Sequence, residues 1–315
     1  MGIDHHDDAN VPSPEHSDRP PDHPDRPPDH ARFETRDRQE YYADRRATEP
    51  VAPSQPAKQS ENLQPRATWE ETADLSRWMW TEYKRRWPPE DRPPVDRSTD
   101  PPGSWRGDNV RFLPSAVNAE LEGECDRISH RERETISPRL GEVESCDPDR
   151  RLIGYEYRLK DRDRVKEKVY DDMDLLGRSS SEAISLLPDA IRYTFQYDEV
   201  RYTHAVREDI ARMKEQGFKL DILKNSWSGD QYKGINSQWI DPDTGQRFEL
   251  QFHTRISFEA KQLTHASYER LRSKQADAFE ELVLEAFQKK VSAAVPIPPG
   301  ATDIPDYREG EQHAR

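Results

Sequence analysis

Glu249, Gln251 and His253 stand at every second position of the run Arg247-Phe248-Glu249-Leu250-Gln251-Phe252-His253-Thr254. Alternate residues of a strand share a face, so these three project together while Phe248, Leu250 and Phe252 project to the other side. The apolar side is suited to a core. A carboxylate, an amide and an imidazole in a row suit a metal ion and a polar substrate. The plainer alternative is an edge strand with a wet outer face.

Four further groups carry chemistry of the same kind. Arg158, Lys160 and Lys168 place three cations on a predicted strand and the helix that follows it. Converging cations neutralise a polyphosphate, although an ordinary solvated face has the same composition. Asp189 opens the next predicted strand, and with Glu249 it offers two hard carboxylates on neighbouring strands, enough to hold Mg2+ against phosphate oxygens. Glu249 could also accept a proton from a substrate hydroxyl. The alternative for Asp189 is punctuation after Pro188. Tyr232 precedes Lys233-Gly234, where the glycine lets a base approach the backbone and stack on the ring; tyrosine is also at home in ordinary strands. His265 lies on the helix after Glu249, ahead of Tyr268 and Arg272, where a single histidine serves packing as readily as chemistry.

These residues need elements to position them. Residues 153–160 alternate and predict a first strand, with Arg158 and Lys160 on one face and Tyr157 and Leu159 on the other. Asp161 or Asp163 is placed to cap a helix carrying Arg164, Val165, Lys168, Val169 and Met173. A second strand is predicted over 191–197, and Val206, Ile210 and Met213 share one face of a helix that Gly217 can end. Third, fourth and fifth strands are predicted over 218–222, 235–240 and 248–253, the last two joined by the turn Asp241-Pro242-Asp243-Thr244-Gly245. Helices follow near 256–273 and 277–291, the second with Phe279, Leu282, Val283, Ala286 and Phe287 on one stripe. Upstream, 110–147 reads as a helical hairpin running from Leu113 through Leu121, Ile128 and Leu140 to Val143, broken near Ser137-Pro138. Thr68 and Glu71 form a capping box for a helix with Trp69, Leu75, Trp78 and Met79.

The expected class is therefore α+β, a mixed five-stranded sheet with flanking helices over 110–293. A Trp-rich helical segment and Pro-rich linker over 67–109 precede it, as a docking element or a cover. The chain has 315 residues, 26 of them proline, and is only 32% hydrophobic, too little for one core of that length. The shortfall falls on 1–66, a Pro/Asp/His/Arg-rich stretch expected to be a disordered arm, and on a flexible tail over 294–315. His5, His6, Asp7 and Asp8 belong to that polar arm and are not taken as a metal site. The net charge of −14 argues against non-specific binding of nucleic acid. No apolar run predicts a membrane span or a signal peptide, so the expected location is cytoplasmic, or outside the cell by a signal-independent route. Cys125 and Cys146 fit no metal spacing and are expected as free thiols, a single bridge being the alternative.

The run from Arg158 to Arg272 resembles the synthetase domain of the RelA/SpoT family, which makes the alarmones (p)ppGpp. Arg158-x-Lys160 followed by Lys168 is similar to the family's R-x-K-x-x-x-S-x-x-x-K. Tyr232-Lys233-Gly234-Ile235-Asn236 is similar to G-Y-x-[SA]-I-H, Phe248 to Thr254 to E-I-Q-I-R-T, and His265 falls where small synthetases carry the His of an E-H pair. The resemblance implies a nucleotidyltransferase-like alarmone synthetase fold and a Mg2+-dependent pyrophosphokinase. The β,γ-pyrophosphate of ATP would move to the 3′-hydroxyl of an acceptor nucleotide, GDP, GTP or an adenine nucleotide. By position Arg158, Lys160 and Lys168 would bind the ATP phosphates, and Asp189 and Glu249 the metal. Glu249 would help deprotonate the hydroxyl, Tyr232 would stack on the acceptor base, and Asn236, Gln251, His253 and His265 would line the nucleotide site.

The chain also departs from the pattern. Arg164 stands for the family serine, Asn236 for the His of the Tyr element, His253 for the Arg of E-I-Q-I-R-T and Thr264 for the Glu before His265, while D-x-x-G-x-R is shortened to Asp189-Ala190-Ile191-Arg192. The wording Tyr-Lys-Gly and Leu-Gln-Phe-His-Thr is more similar to RelA/SpoT-type domains of bacterial polymorphic toxins, which implies an immunity or antitoxin partner. No His-Asp pair of the family's hydrolase domain precedes residue 150, so synthesis without hydrolysis is expected. Two alternatives stay open: a catalytically silent nucleotide-binding regulatory module, and a toxin acting on tRNA 3′ ends, the one nucleic-acid target the acidic charge leaves in play.

Overall fold

The structure, a computed structural model, describes residues 68–88, 95–108, 110–273 and 276–310; the arm expected over 1–66 lies outside them. α1 (Trp69–Arg86) begins with the expected capping box, Thr68 and Glu71 each accepting the other's amide. It is a cover on the main body. The Trp69 indole donates to Glu259 at 2.6 Å, and Trp80, stacked on Tyr83, also meets Phe287. A short ribbon of β1 (Trp105–Arg106) and β2 (Phe112–Leu113) follows, with the buried Trp105 indole donating to Asp163.

α2 (Ser115–Arg131) and α3 (Ser137–Ser145) are joined through a π-helical turn, Glu132–Ile136. The helical hairpin expected over 110–147 does not form: the backbone stays right-handed helical through this turn, so residues 115–145 run on as one helix with a π segment, and Pro138 follows directly after that segment, where the ladder is already irregular. β3 (Arg151–Leu152) is a two-residue edge. The strand predicted over 153–160 does not form. Gly154 turns the chain at φ 64° into a 3-10 turn, Tyr155–Tyr157, and only Leu159 bridges to Ile191. The alternation there reflects a turn that shows its tyrosines to solvent, not a pleat.

α4 (Arg162–Leu176), capped by Asp161, leads through α5 (Ser180–Ser185) to β4 (Arg192–Tyr197). α6 (Tyr202–Glu215) is followed by Gly217 at φ 88°, then β5 (Lys219–Asn225), β6 (Ile235–Ile240) and β7 (Arg247–Thr254). α7 (Arg255–Arg272) starts at the residue after β7, and α8 (Ala278–Ala293) and β8 (Tyr307–Arg308) complete the described chain.

The mixed sheet has six strands in the order β3-β4-β7-β6-β5-β8, one more than expected, and helices flank it in an α+β fold. Only β4 and β7 run parallel. β7 is a central strand, with residues 248–254 all buried, so the edge-strand alternative is excluded. The sixth strand comes from the tail expected to be flexible. Ala301 and Ile304 are buried, the Asn225 amide donates to both their carbonyls, and β8 pairs with β5, which pins residues 296–308 to the sheet edge. The stripe predicted on α8 is also corrected. Phe279 and Leu282 are exposed, while Leu284, Phe287, Gln288 and Val291 face inward, because α8 is covered by α1 and α7 at an angle that composition does not encode. Cys125 and Cys146 are free thiols, the first buried and the second exposed. No helix among the described residues is long and apolar enough to cross a membrane.

Register divides the sheet into two faces. Pairings Tyr193↔Leu250 and Phe195↔Phe252, with Trp239↔Phe248 across the other edge of β7, build an apolar face. The π turn and α6 close it, since Tyr193 donates to Glu132 and the Tyr202 hydroxyl to the Phe252 carbonyl. Pairings Arg192↔Glu249, Thr194↔Gln251, Gln196↔His253 and Asn236↔Gln251 build the opposite, polar face, which α7 covers.

Candidate functional site

The polar face of β4 and β7 carries the candidate site. Asp189 lies in the 3-10 turn Pro188–Ala190 that feeds β4, and the Glu249 amide donates to the Ile191 carbonyl at 2.9 Å. The two carboxylates therefore arise from adjacent strands at one end of the sheet. Asp189 Oδ2 takes Lys168 Nζ at 2.5 Å and Lys160 Nζ at 3.2 Å. All three groups are buried. Burial pushes the Asp189 carboxyl up, but the Lys160 and Lys168 ammoniums outweigh it and hold the group far below the usual carboxylate range. Burial first, then the Lys160 and Arg272 charges, lower Lys168 to about 8 against the pull of Asp189. Asp189 Oδ1 is buried with no hydrogen-bond partner.

The second half of the site is a chain of side chains on β7 and α7. The Gln251 amide NH2 donates to Glu249 Oε1, and Lys261 Nζ donates to Gln251 Oε1. Lys261 is lowered to about 7 by burial first and the Arg192 charge second, with Glu249 opposing. Arg192 thus acts on both halves, since its charge also helps hold Asp189 ionised. Five cations, Lys160, Lys168, Arg192, Lys261 and Arg272, surround two carboxylates.

Further along β7, His253 is fully buried with both ring nitrogens engaged, Nδ1 with Ser257 Oγ at 2.9 Å and Nε2 with the Tyr232 hydroxyl at 2.8 Å. Burial, then the Lys261 charge, hold its pKa well below the ordinary imidazole value. Tyr232 also donates to Asn236 Oδ1 at 2.9 Å, and its ring stands edge-on to His253. Gly234, at φ 150°, is required here: a Cβ would sit 2.7 Å from His253 Cε1. Lys233 turns away from the polar face and donates to the Trp227 and Gly229 carbonyls, closing the loop below Tyr232. His265 is buried on α7.

Of the residues picked from sequence, Lys160, Lys168 and Asp189 are brought into direct contact, Gln251 joins Glu249, and Tyr232, Asn236 and His253 form one group. Arg158 is drawn elsewhere. Its Nε donates to the buried Glu132 at 2.6 Å and its guanidinium lies over the Tyr155 ring at 4.1 Å, so the three cations do not act as one cluster. His253 has no exposed atom to offer a ligand, and its ring nitrogens meet Tyr232 and Ser257. Lys261, Arg192 and Ser257 were not singled out from the sequence. One signal could have found two of them: Ser257 and Lys261 are four apart on a helix that starts where the polar strand ends.

The fold and site define an α+β domain with two carboxylates and a ring of cations on a helix-covered sheet face. No family model matches the chain, and no curated protein matches it. Solved structures do. A GTP pyrophosphokinase family protein from Streptococcus pneumoniae is similar at 13% identity, over 55% of this chain and 88% of that one, with a TM-score of 0.41. Small alarmone synthetase 1 from Bacillus subtilis, bound to its product pppGpp, is similar at 15% identity, over 59% of this chain and 96% of that one, also at 0.41. These likenesses are distant, and the functional reading below rests on this chain's own side chains.

Proposed function

We propose that this domain is an ATP-dependent pyrophosphokinase that moves a β,γ-diphosphoryl group to the 3′-hydroxyl of a purine nucleotide. The observation that carries it is the buried Lys160–Asp189–Lys168 cluster at the strand end beside Glu249. A surplus of cations over carboxylates in a buried cluster suits a polyphosphate, and in-line transfer needs positioning and charge neutralisation more than covalent chemistry.

Lys160 and Lys168 bind phosphate oxygens, with Arg192 and Arg272 beside them. Arg158, tied to Glu132, is not assigned to that task. Glu249 accepts the proton of the attacking hydroxyl as the P–O bond forms and the bond to the α-phosphate oxygen breaks, AMP leaving. Tyr232 offers its ring to the acceptor base; its hydroxyl is fixed by His253 and Asn236. Asp189 and Glu249 fit a magnesium ion: Asp189 Oδ1 is buried and unpartnered, and hard oxygens are the donors that ion takes. When bound, it would neutralise charge on the transferring group.

The test is an acceptor screen with β,γ-labelled ATP, Mg2+ and GDP, GTP, ADP, AMP or deacylated tRNA. Labelled 3′-diphosphorylated product, lost in Glu249→Gln, is expected. Folded protein that labels no acceptor overturns the reading.

A further inference from the structure

β7 runs into α7 without a loop, Thr254 ending one and capping the other. Two residues of strand advance about 6.6 Å and four residues of helix about 6 Å. Strand and returning helix are therefore nearly commensurate. The first rung is Ser257 against His253 and the second Lys261 against Gln251.

We infer that Lys261 is a positioning residue for Glu249, acting through Gln251. The inference rests on the pyrophosphokinase reading for its functional consequence. A glutamine amide has nearly the same shape in its two orientations, but only one offers N–H to a carboxylate. Lys261 Nζ is the donor here, so it holds the Gln251 carbonyl end and turns the NH2 end to Glu249 Oε1. Oε1 is thereby fixed, and Oε2 is left for a ligand or a substrate proton. Without Lys261 the amide can rotate and set its oxygen against the carboxylate.

The surroundings give Lys261 no simpler structural task. Its ammonium is desolvated beside the Arg192 charge and lies 5.3 Å from the Phe258 ring, an arrangement in which a long apolar side chain would cost less. Its neighbour rung, Ser257, already docks the first turn of α7 through the capping box with Thr254.

The experiment compares Lys261→Met, Gln251→Leu and the double variant in the full chain. Each single variant is expected to lose about 10–100-fold in kcat with KM for ATP little changed, as for other groups that orient a catalytic residue. The double variant should be no worse than either single one, because both break the same chain. Losses that multiply, or a change in KM alone, overturn the inference. A second readout needs no activity: the 13C carboxyl resonance of Glu249, assigned by its disappearance in Glu249→Gln. It should shift in Lys261→Met and in Gln251→Leu, and an unchanged resonance in both overturns the inference. Should the wild-type chain transfer nothing, the pyrophosphokinase reading fails on that result and the resonance alone decides on Lys261. Gln251→Leu keeps the test available if Lys261→Met does not fold.

Discussion

The two faces of β7 carry opposite solutions to burial. On one, Phe248, Leu250 and Phe252 are fully buried against Tyr193, Phe195 and Trp239, and the edge-on rings of Tyr193 and Phe218 close on Phe248. Dispersion and the loss of apolar surface from water stabilise that face without any directional requirement. On the other, Glu249, Gln251 and His253 are also buried, Glu249 least, and their polar atoms are joined in chains that end at α7. The apolar face holds the fold; the polar face holds charge in fixed positions at a cost in stability. A site so built is preorganised because its members have few alternatives.

That contrast can be broken most directly by Phe252→Ala, which should cost about 3–5 kcal/mol of stability from lost transfer energy and a cavity on the apolar face beside Phe195 and Tyr197. Denaturant unfolding measures it, and a loss below 1 kcal/mol would show that this face is not the close-packed one. Glu249→Gln should do the reverse. Turnover is expected to fall by about 100-fold or more, while the unfolding midpoint stays within a few degrees of wild type by calorimetry, since the amide keeps the shape of the group it replaces. Equal losses of stability in these two variants would erase the distinction between the faces.

His253 sharpens the comparison through pH. Its folded pKa lies well below the ordinary 6.5, with burial as the first cause. The unfolded chain therefore takes up a proton below pH 6.5 that the folded chain refuses, and stability falls as pH falls through that range. At pH 5.5 the penalty is on the order of 1 kcal/mol. It is read as the difference between wild type and His253→Gln in unfolding free energy at pH 7.5 and 5.5; parallel pH curves would count against a neutral, buried imidazole. The smallest effect is expected at the cover. Thr68→Ala removes the α1 cap and should cost about 1 kcal/mol, read as faster amide exchange in the first turn of α1 with kcat unchanged.

Much of this architecture was present in local pattern. The capping box at Thr68, a helix start at Asp161 or Asp163, the strand at 235–240 and the two-faced run at 248–253 follow from spacing alone, because period and capping chemistry act within a few residues. The predicted strand at 153–160 failed for a local reason as well: Gly154 adopts a left-handed turn that alternation does not reveal. The tail at 296–308 failed for a distant one. Its proline-rich wording reads as loose until Asn225, some seventy residues away, supplies donors for its carbonyls.

The site divides the same way. Residue types offered Glu249 and Asp189 for a metal, Arg158, Lys160 and Lys168 for phosphate and Tyr232 for a base, each with a plain structural alternative, and the family resemblance joined them into one site. Only the tertiary structure decided which of them meet. It paired both lysines with one oxygen of Asp189, took Arg158 away to Glu132 on the π turn, closed His253 behind Tyr232, and brought in Lys261 from the covering helix. The physical reason is range. A side chain's period and charge are written at its own position, whereas its partner is set by strand register and helix docking, which are properties of the whole sheet.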